Sequence, residues 1–128
     1  MNDKDKVGRT TLMNAIIDKD YDKAKSLIND DVNINEVDNQ GFTALHFAVQ
    51  NNDYEIIEYL IEKGANVNIQ DKYGNIPLSR AIKPYIDRKI IEILLKSNSD
   101  IYLENNSGIS VSKLVETVAN FEHKDLFN

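Results

Sequence analysis

Three short stretches of the chain carry residue types able to do chemistry. Asp18-Lys-Asp20-Tyr-Asp22 sets carboxylates at alternate positions, as the start of a calcium loop does. Such a loop needs glycine where Lys23 stands and a bidentate carboxylate where Asn29 stands, so the segment reads as a solvated turn between helices. Gly108-Ile-Ser110-Val-Ser112 offers a serine after a glycine but lacks the second glycine of a nucleophile elbow and follows no buried strand. Ser110 fits a helix N-cap. His46 invites a general-base reading, whereas His123 has no carboxylate or thiol at metal or triad spacing and reads as a surface residue. With no cysteine and only these two histidines, thiol nucleophiles, zinc ribbons, iron–sulfur clusters and Cys/His cages are excluded. The glycines are dispersed, each serving a turn, which leaves no phosphate-cradling loop. The expectation is no enzyme, no metal and no cofactor.

Charge narrows the partner. The 15 Lys and Arg face 21 Asp and Glu, a net charge of −6, which argues against a phosphate backbone or an anionic membrane. It favours salt-sensitive encounter with a basic protein. A chain of 128 residues, 41% hydrophobic, is one domain's worth, taken here as residues 1–128. Met1-Asn-Asp-Lys-Asp-Lys-Val-Gly is not followed by a long apolar run, so a cytoplasmic protein is expected and the sequon at Asn105-Asn106-Ser107 carries little weight.

The elements that must position any site repeat along the chain. Asp5, Gly8, Thr10, Leu12 and Ala15 recur 33 residues on as Asp38, Gly41, Thr43, Leu45 and Ala48. Asp71, Gly74, Leu78 and Ala81 follow, then Asn105, Gly108 and Val115, which gives four copies at about 5–37, 38–70, 71–104 and 105–128. In the second copy Thr43 caps a short helix with Leu45 and Ala48 inward, and Asn51-Asn52-Asp53 breaks it. Ile56, Ile57, Leu60 and Ile61 then share a second helix, and Gly64 supplies its left-handed end. Each helix is too short to stand alone, so pairs must stack on pairs.

Asp38-x-x-Gly41-x-Thr43-x-Leu45-His46-x-Ala48, closing in Gly64-Ala65-Asn66-Val67-Asn68, resembles the ankyrin repeat over nearly the whole chain. The resemblance implies an all-α ankyrin-repeat solenoid of four helix-turn-helix repeats with β-turn-like tips and terminal repeats acting as caps. It also implies that His46 bonds backbone across the inter-repeat turn. The third copy departs in having Ile76 in place of the cap threonine, and it carries one extra residue within Lys83-Pro84-Tyr85-Ile86-Asp87. The first copy lacks the closing glycine. The fourth has Ser112 and Lys113 at the leucine and histidine positions and ends within its expected second helix, with Phe121, Leu126 and Phe127 covering the apolar edge.

Ankyrin-like stacks bind proteins with the turn tips and the exposed side of the first helices, a concave face. Carried over by position, the candidate partner-binding residues are Glu36, Asn39, Gln40, Phe42, Gln50, Asn51, Lys72, Tyr73, Asn75 and Glu104, with Arg9, Val37, Gln70, Lys83, Asn106 and Ile109 flanking them. Phe42 and Tyr73 are the expected anchors, and Phe42→Ala is expected to weaken binding without unfolding the chain. Residues 105–122 resemble the last repeat of small bacterial ankyrin proteins encoded beside polymorphic toxins, which are thought to be immunity proteins. On that resemblance an acidic concave face would block a basic toxin domain, with a regulatory scaffold or effector binding a cellular protein as the alternative. Two capped ends imply a monomer before binding.

Overall fold

The computed structural model describes residues 4–30 and 32–127. Its α-helices are α1 (Thr11–Ile17), α2 (Tyr21–Asn29), α3 (Ala44–Gln50), α4 (Tyr54–Glu62), α5 (Arg88–Lys96) and α6 (Val111–Thr117), with 3-10 helices at Pro77–Ala81 and Lys124–Phe127. Among the described residues there is no strand, only an isolated antiparallel bridge between Lys4 and Thr10.

The first helices start where the hydroxyl caps predict. Thr10, Thr43 and Ser110 accept hydrogen bonds from the N–H groups of Met13, His46 and Lys113, satisfying donors that the helix itself leaves free. α1, α3, the 77–81 segment and α6 form an inner row, and α2, α4 and α5 stack as an outer row. Between the rows one apolar cluster runs through the stack, with Ile16, Leu45, Ile57, Leu60, Leu78 and Leu94 fully buried. Because neither row is stable in isolation, this shared burial is what holds the short helices.

Two elements differ from the helix pairs expected. Ile76 has no side-chain acceptor to cap the third inner helix, and the segment after it tightens into a 3-10 helix beginning at Pro77. The lengthened loop that follows is tied to the preceding inter-helix turn: Asn52 Oδ1 accepts from Asp87 N (2.9 Å), and Tyr85 projects outward at 88% exposure. In the last copy a second α-helix gives way to the 3-10 turn, where buried Phe121 and the Arg88–Asp125 pair (2.6 Å) fasten the end to the stack.

The tips are built by one repeated device. Asp5, Asp38, Asp71 and Asn105 each turn Oδ1 back to accept the N–H groups two and four residues on, at 2.9–3.0 Å. Adjacent tips are then joined through backbone: Asn39 N donates to Val7 O (3.0 Å), Lys72 N to Gln40 O (2.7 Å) and Asn106 N to Tyr73 O (2.9 Å). Gly41 has φ +78, and a Cβ there would lie 2.8 Å from Lys72 N, whereas Gly108 at φ +74 faces open space. Gly108→Ala should therefore cost about 1 kcal/mol for left-handed backbone alone. Gly41→Ala should cost about 3 kcal/mol because it also disrupts an inter-tip hydrogen bond. Urea unfolding checks the pair, and equal losses would show that the tips do not interlock.

Candidate functional site

The tips and inner helices present a face whose polar side chains are largely fixed. Arg9 of the first tip lies over the Phe47 ring of α3 (5.4 Å to the centroid). Phe47 meets Phe42 edge-on at 5.7 Å. Phe42 in turn lies under the guanidinium of Arg80, at 4.3 Å. An Arg9–Phe47–Phe42–Arg80 stack, two rings between two guanidiniums, thus crosses three copies, each guanidinium resting on a ring face that favours positive charge.

At the far end of α3, Gln50 holds two cations. Arg80 Nη1 donates to Gln50 Oε1 (2.9 Å) and Lys83 Nζ to the Gln50 carbonyl (3.2 Å). Burial pushes the Arg80 guanidinium below its ordinary pKa, opposed by the charges of Asp71 and Asp38. Lys83 is pushed down by burial and then by the neighbouring charge of Arg80.

Beside Arg80 lies an open cleft of about 240 Å³, lined by Tyr73, Asn75, Ser79, Ile109 and Leu114 among others. Tyr73 is 53% exposed at its rim, with Lys72 Nζ over the ring. A larger hollow of about 440 Å³ lies on the outer face between α4 and α5. Within it Tyr54 donates to Glu58 and Lys89 lies over the Tyr54 ring.

The expected site residues divide. Tyr73, Lys72, Gln40, Gln50 and Glu104 are exposed on this face. Asn51 is not free: its amide donates to Ile16 O (2.7 Å) and holds α1 to α3. Asn75 Oδ1 accepts from Asn105, and the Asn39 amide reaches Lys6 O. Glu36 is paired with Lys4 at 2.9 Å. Phe42 is half-buried, packed by Arg80, His46 and Phe47, so Phe42→Ala is expected to cost about 2 kcal/mol of stability through lost packing in addition to any effect on binding.

The acidic concave face is corrected as well. Asp38 and Asp71 are buried with their Oδ1 atoms spent on the turns, and this side carries Lys4, Lys6, Arg9, Lys72, Arg80 and Lys83 against the accessible acids Asp5, Glu36 and Glu104, a mixed face with more cations than anions. The outer helices are balanced, Asp22, Glu55, Glu58, Glu62 and Glu92 standing against Lys23, Lys25, Arg88, Lys89 and Lys96. Arg80 is the residue that the sequence reading missed; a shift of 33 places it at the position of Phe47, and that register was the available signal.

His46 is fully buried. Its Nδ1 accepts from Thr43 N (3.0 Å), which leaves the proton on Nε2 to donate to Asn75 O across the repeat junction (3.1 Å). Both nitrogens are occupied by framework bonds, and burial lowers the imidazole pKa. His123 lies against Arg88 and Ile86 O. Among the described residues no cluster of three or more His, Asp or Glu is placed to hold a metal ion, and no helix is long and apolar enough to cross a membrane.

A family model described as ankyrin repeats (3 copies) matches residues 1–71, just over half of the chain. The chain belongs to the ankyrin-repeat family. The match ends at Asp71, the first residue of the copy whose inner helix loses its threonine cap. Among curated proteins none matches this ankyrin-repeat chain significantly.

Neutral His46 links two copies, so the linkage can be signed. A pKa lowered in the fold means that the unfolded chain binds more protons near its ordinary value of about 6.5. The His46 contribution is therefore complete above that pH and is lost as pH falls below it toward the folded value. Thermal unfolding followed from pH 7.5 to 5 should show this loss, and His46→Gln should flatten the slope; an unchanged slope would overturn the assignment.

Proposed function

We propose that this ankyrin-repeat chain is a non-enzymatic binding module that covers a protein partner with its tip and inner-helix face. The observation that carries the reading is the Tyr73 rim: an exposed aromatic beside an open cleft, on a tip locked at both neighbours by backbone hydrogen bonds. An anchor held this way loses little conformational freedom on binding. Ankyrin repeats generally mediate protein–protein interaction, and both buried nitrogens of His46 serve the fold.

The more specific reading is an immunity protein that neutralises a cognate toxin domain by blocking its substrate cleft. The resemblance of residues 105–122 to ankyrin proteins encoded beside toxins supports it, and so does a preformed face. The net negative charge of the chain would aid approach to a basic toxin domain through long-range attraction, while the tip face makes the contact.

The test is affinity capture on the tagged protein at low and high salt, followed by reconstitution with the purified partner. One stoichiometric toxin domain whose activity is blocked would support immunity; several unrelated partners would favour a scaffold or effector. With the purified partner, Tyr73→Ala should raise Kd at least about tenfold while leaving the melting temperature within about 2 °C, as expected for an exposed side chain. Unaltered affinity would rule out this face.

A further inference from the structure

The chain is acidic overall, yet its tip and inner-helix face concentrates cations, and one cluster lacks a counter-ion. Arg80 and Lys83 converge on Gln50, and among the described residues neither makes an ion pair within 4.0 Å. Bringing two cations onto one residue, Arg80 at its side-chain oxygen and Lys83 at its main-chain carbonyl, is unfavourable unless something compensates. Nearby Asp71 and Asp38 help only in part, because each commits an oxygen to its own turn and Asp38 Oδ2 faces Arg9 at 4.0 Å.

The Arg80 guanidinium is also fixed in orientation, stacked on Phe42 and tethered at Nη1, with Nε buried and without an acceptor. A planar fork held on an aromatic ring with donors left over is prepared for a carboxylate. Arg9 repeats the arrangement on Phe47 at the other end of the stack, and its Nε likewise lacks an acceptor.

We propose that the Arg80–Lys83 pair on Gln50 is the docking point for an acidic segment of the protein partner, whose Asp or Glu carboxylate seats between the two cations while its neighbouring side chain enters the Tyr73–Ile109–Leu114 cleft. A second carboxylate along the segment reaches Arg9 by way of the Phe47–Phe42 rings. A nucleic acid fits less well, since the cations form one short row on a chain of net charge −6. The proposal rests on the tip and inner-helix face being the binding face, and adds the sign of what it recognises.

The test is an NMR titration of the full chain with a peptide of alternating Glu and Gly, and with its Gln counterpart. The Glu peptide should shift the Arg80 Nε–H, the Gln50 side-chain amide and the Lys83 N–H, and the Gln peptide should not. Arg80→Gln and Lys83→Gln should each weaken Glu-peptide binding at least about fivefold, with Arg80→Lys intermediate and Lys89→Gln on outer helix α5 without effect. Lys83→Gln keeps the test valid if Arg80→Gln perturbs folding, because Lys83 bonds only the Gln50 carbonyl.

Equal response to both peptides, shifts confined to α2, α4 and α5, or tighter binding of a double-stranded oligonucleotide through the same residues would each overturn the proposal. With the natural partner the two readings separate. If Tyr73→Ala weakens binding and the Arg80 and Lys83 variants do not, the acidic-segment inference falls and the binding face stands.

Discussion

Everything in this molecule depends on how a carboxylate or amide side chain closes a turn. Asp38 Oδ1 takes the N–H groups of Gln40 and Phe42, and the same geometry recurs at Asp5, Asp71 and Asn105. A turn closed in this way holds its next N–H and carbonyl outward in fixed directions, which is what lets one tip donate to the tip before it. Buried His46 adds the second link, joining the cap of α3 to the carbonyl of Asn75 in the next copy. Remove these bonds and the helices lose their spacing, since each is too short to persist outside the stack.

The same constraint explains why the binding face is rigid. A loop free to move would lose entropy on meeting a partner, whereas these tips are already ordered by hydrogen bonds within and between copies. The stacked rings extend that order to side chains. Phe47 and Phe42 give Arg9 and Arg80 surfaces to lie on, so that two long flexible residues become fixed donors. Function in such a protein is a matter of which charges and rings occupy otherwise equivalent positions on a repeated frame.

The distribution of charge follows from the architecture too. Outer helices touch solvent along a broad face and accept Glu and Lys at little cost, while the tips must bury Asp38 and Asp71 to close. The outer helices α2, α4 and α5 balance five Asp and Glu against five Lys and Arg, whereas on the inner face two of the carboxylates are withdrawn and the cations stay accessible. A net charge of −6 describes the chain without describing either surface.

Much of the fold was legible from residue spacing. The step of 33 located the tips, the caps at Thr10, Thr43 and Ser110, the inward Leu and Ala positions and the left-handed glycines, because each is a local requirement that a single residue type meets. The departure at Ile76 was visible as a missing cap, but its outcome as a 3-10 helix depended on what packs around it.

The candidate site was less legible, for the same reason. Tyr73 could be placed on a tip from its register alone, but its place at the rim of a cleft with Ile109 and Leu114 was set by the next copy. Phe42 occupies a tip position too, yet Arg80, thirty-eight residues later, covers it. Asn51 looks free in sequence and is spent on a carbonyl of α1. Sequence by itself determined the repeat, its turns and its stripes of burial, since those obey short-range rules. Only the tertiary structure decided which side chains find partners, because stacking brings together residues a whole copy apart and satisfies some while leaving Arg80 and Lys83 side by side.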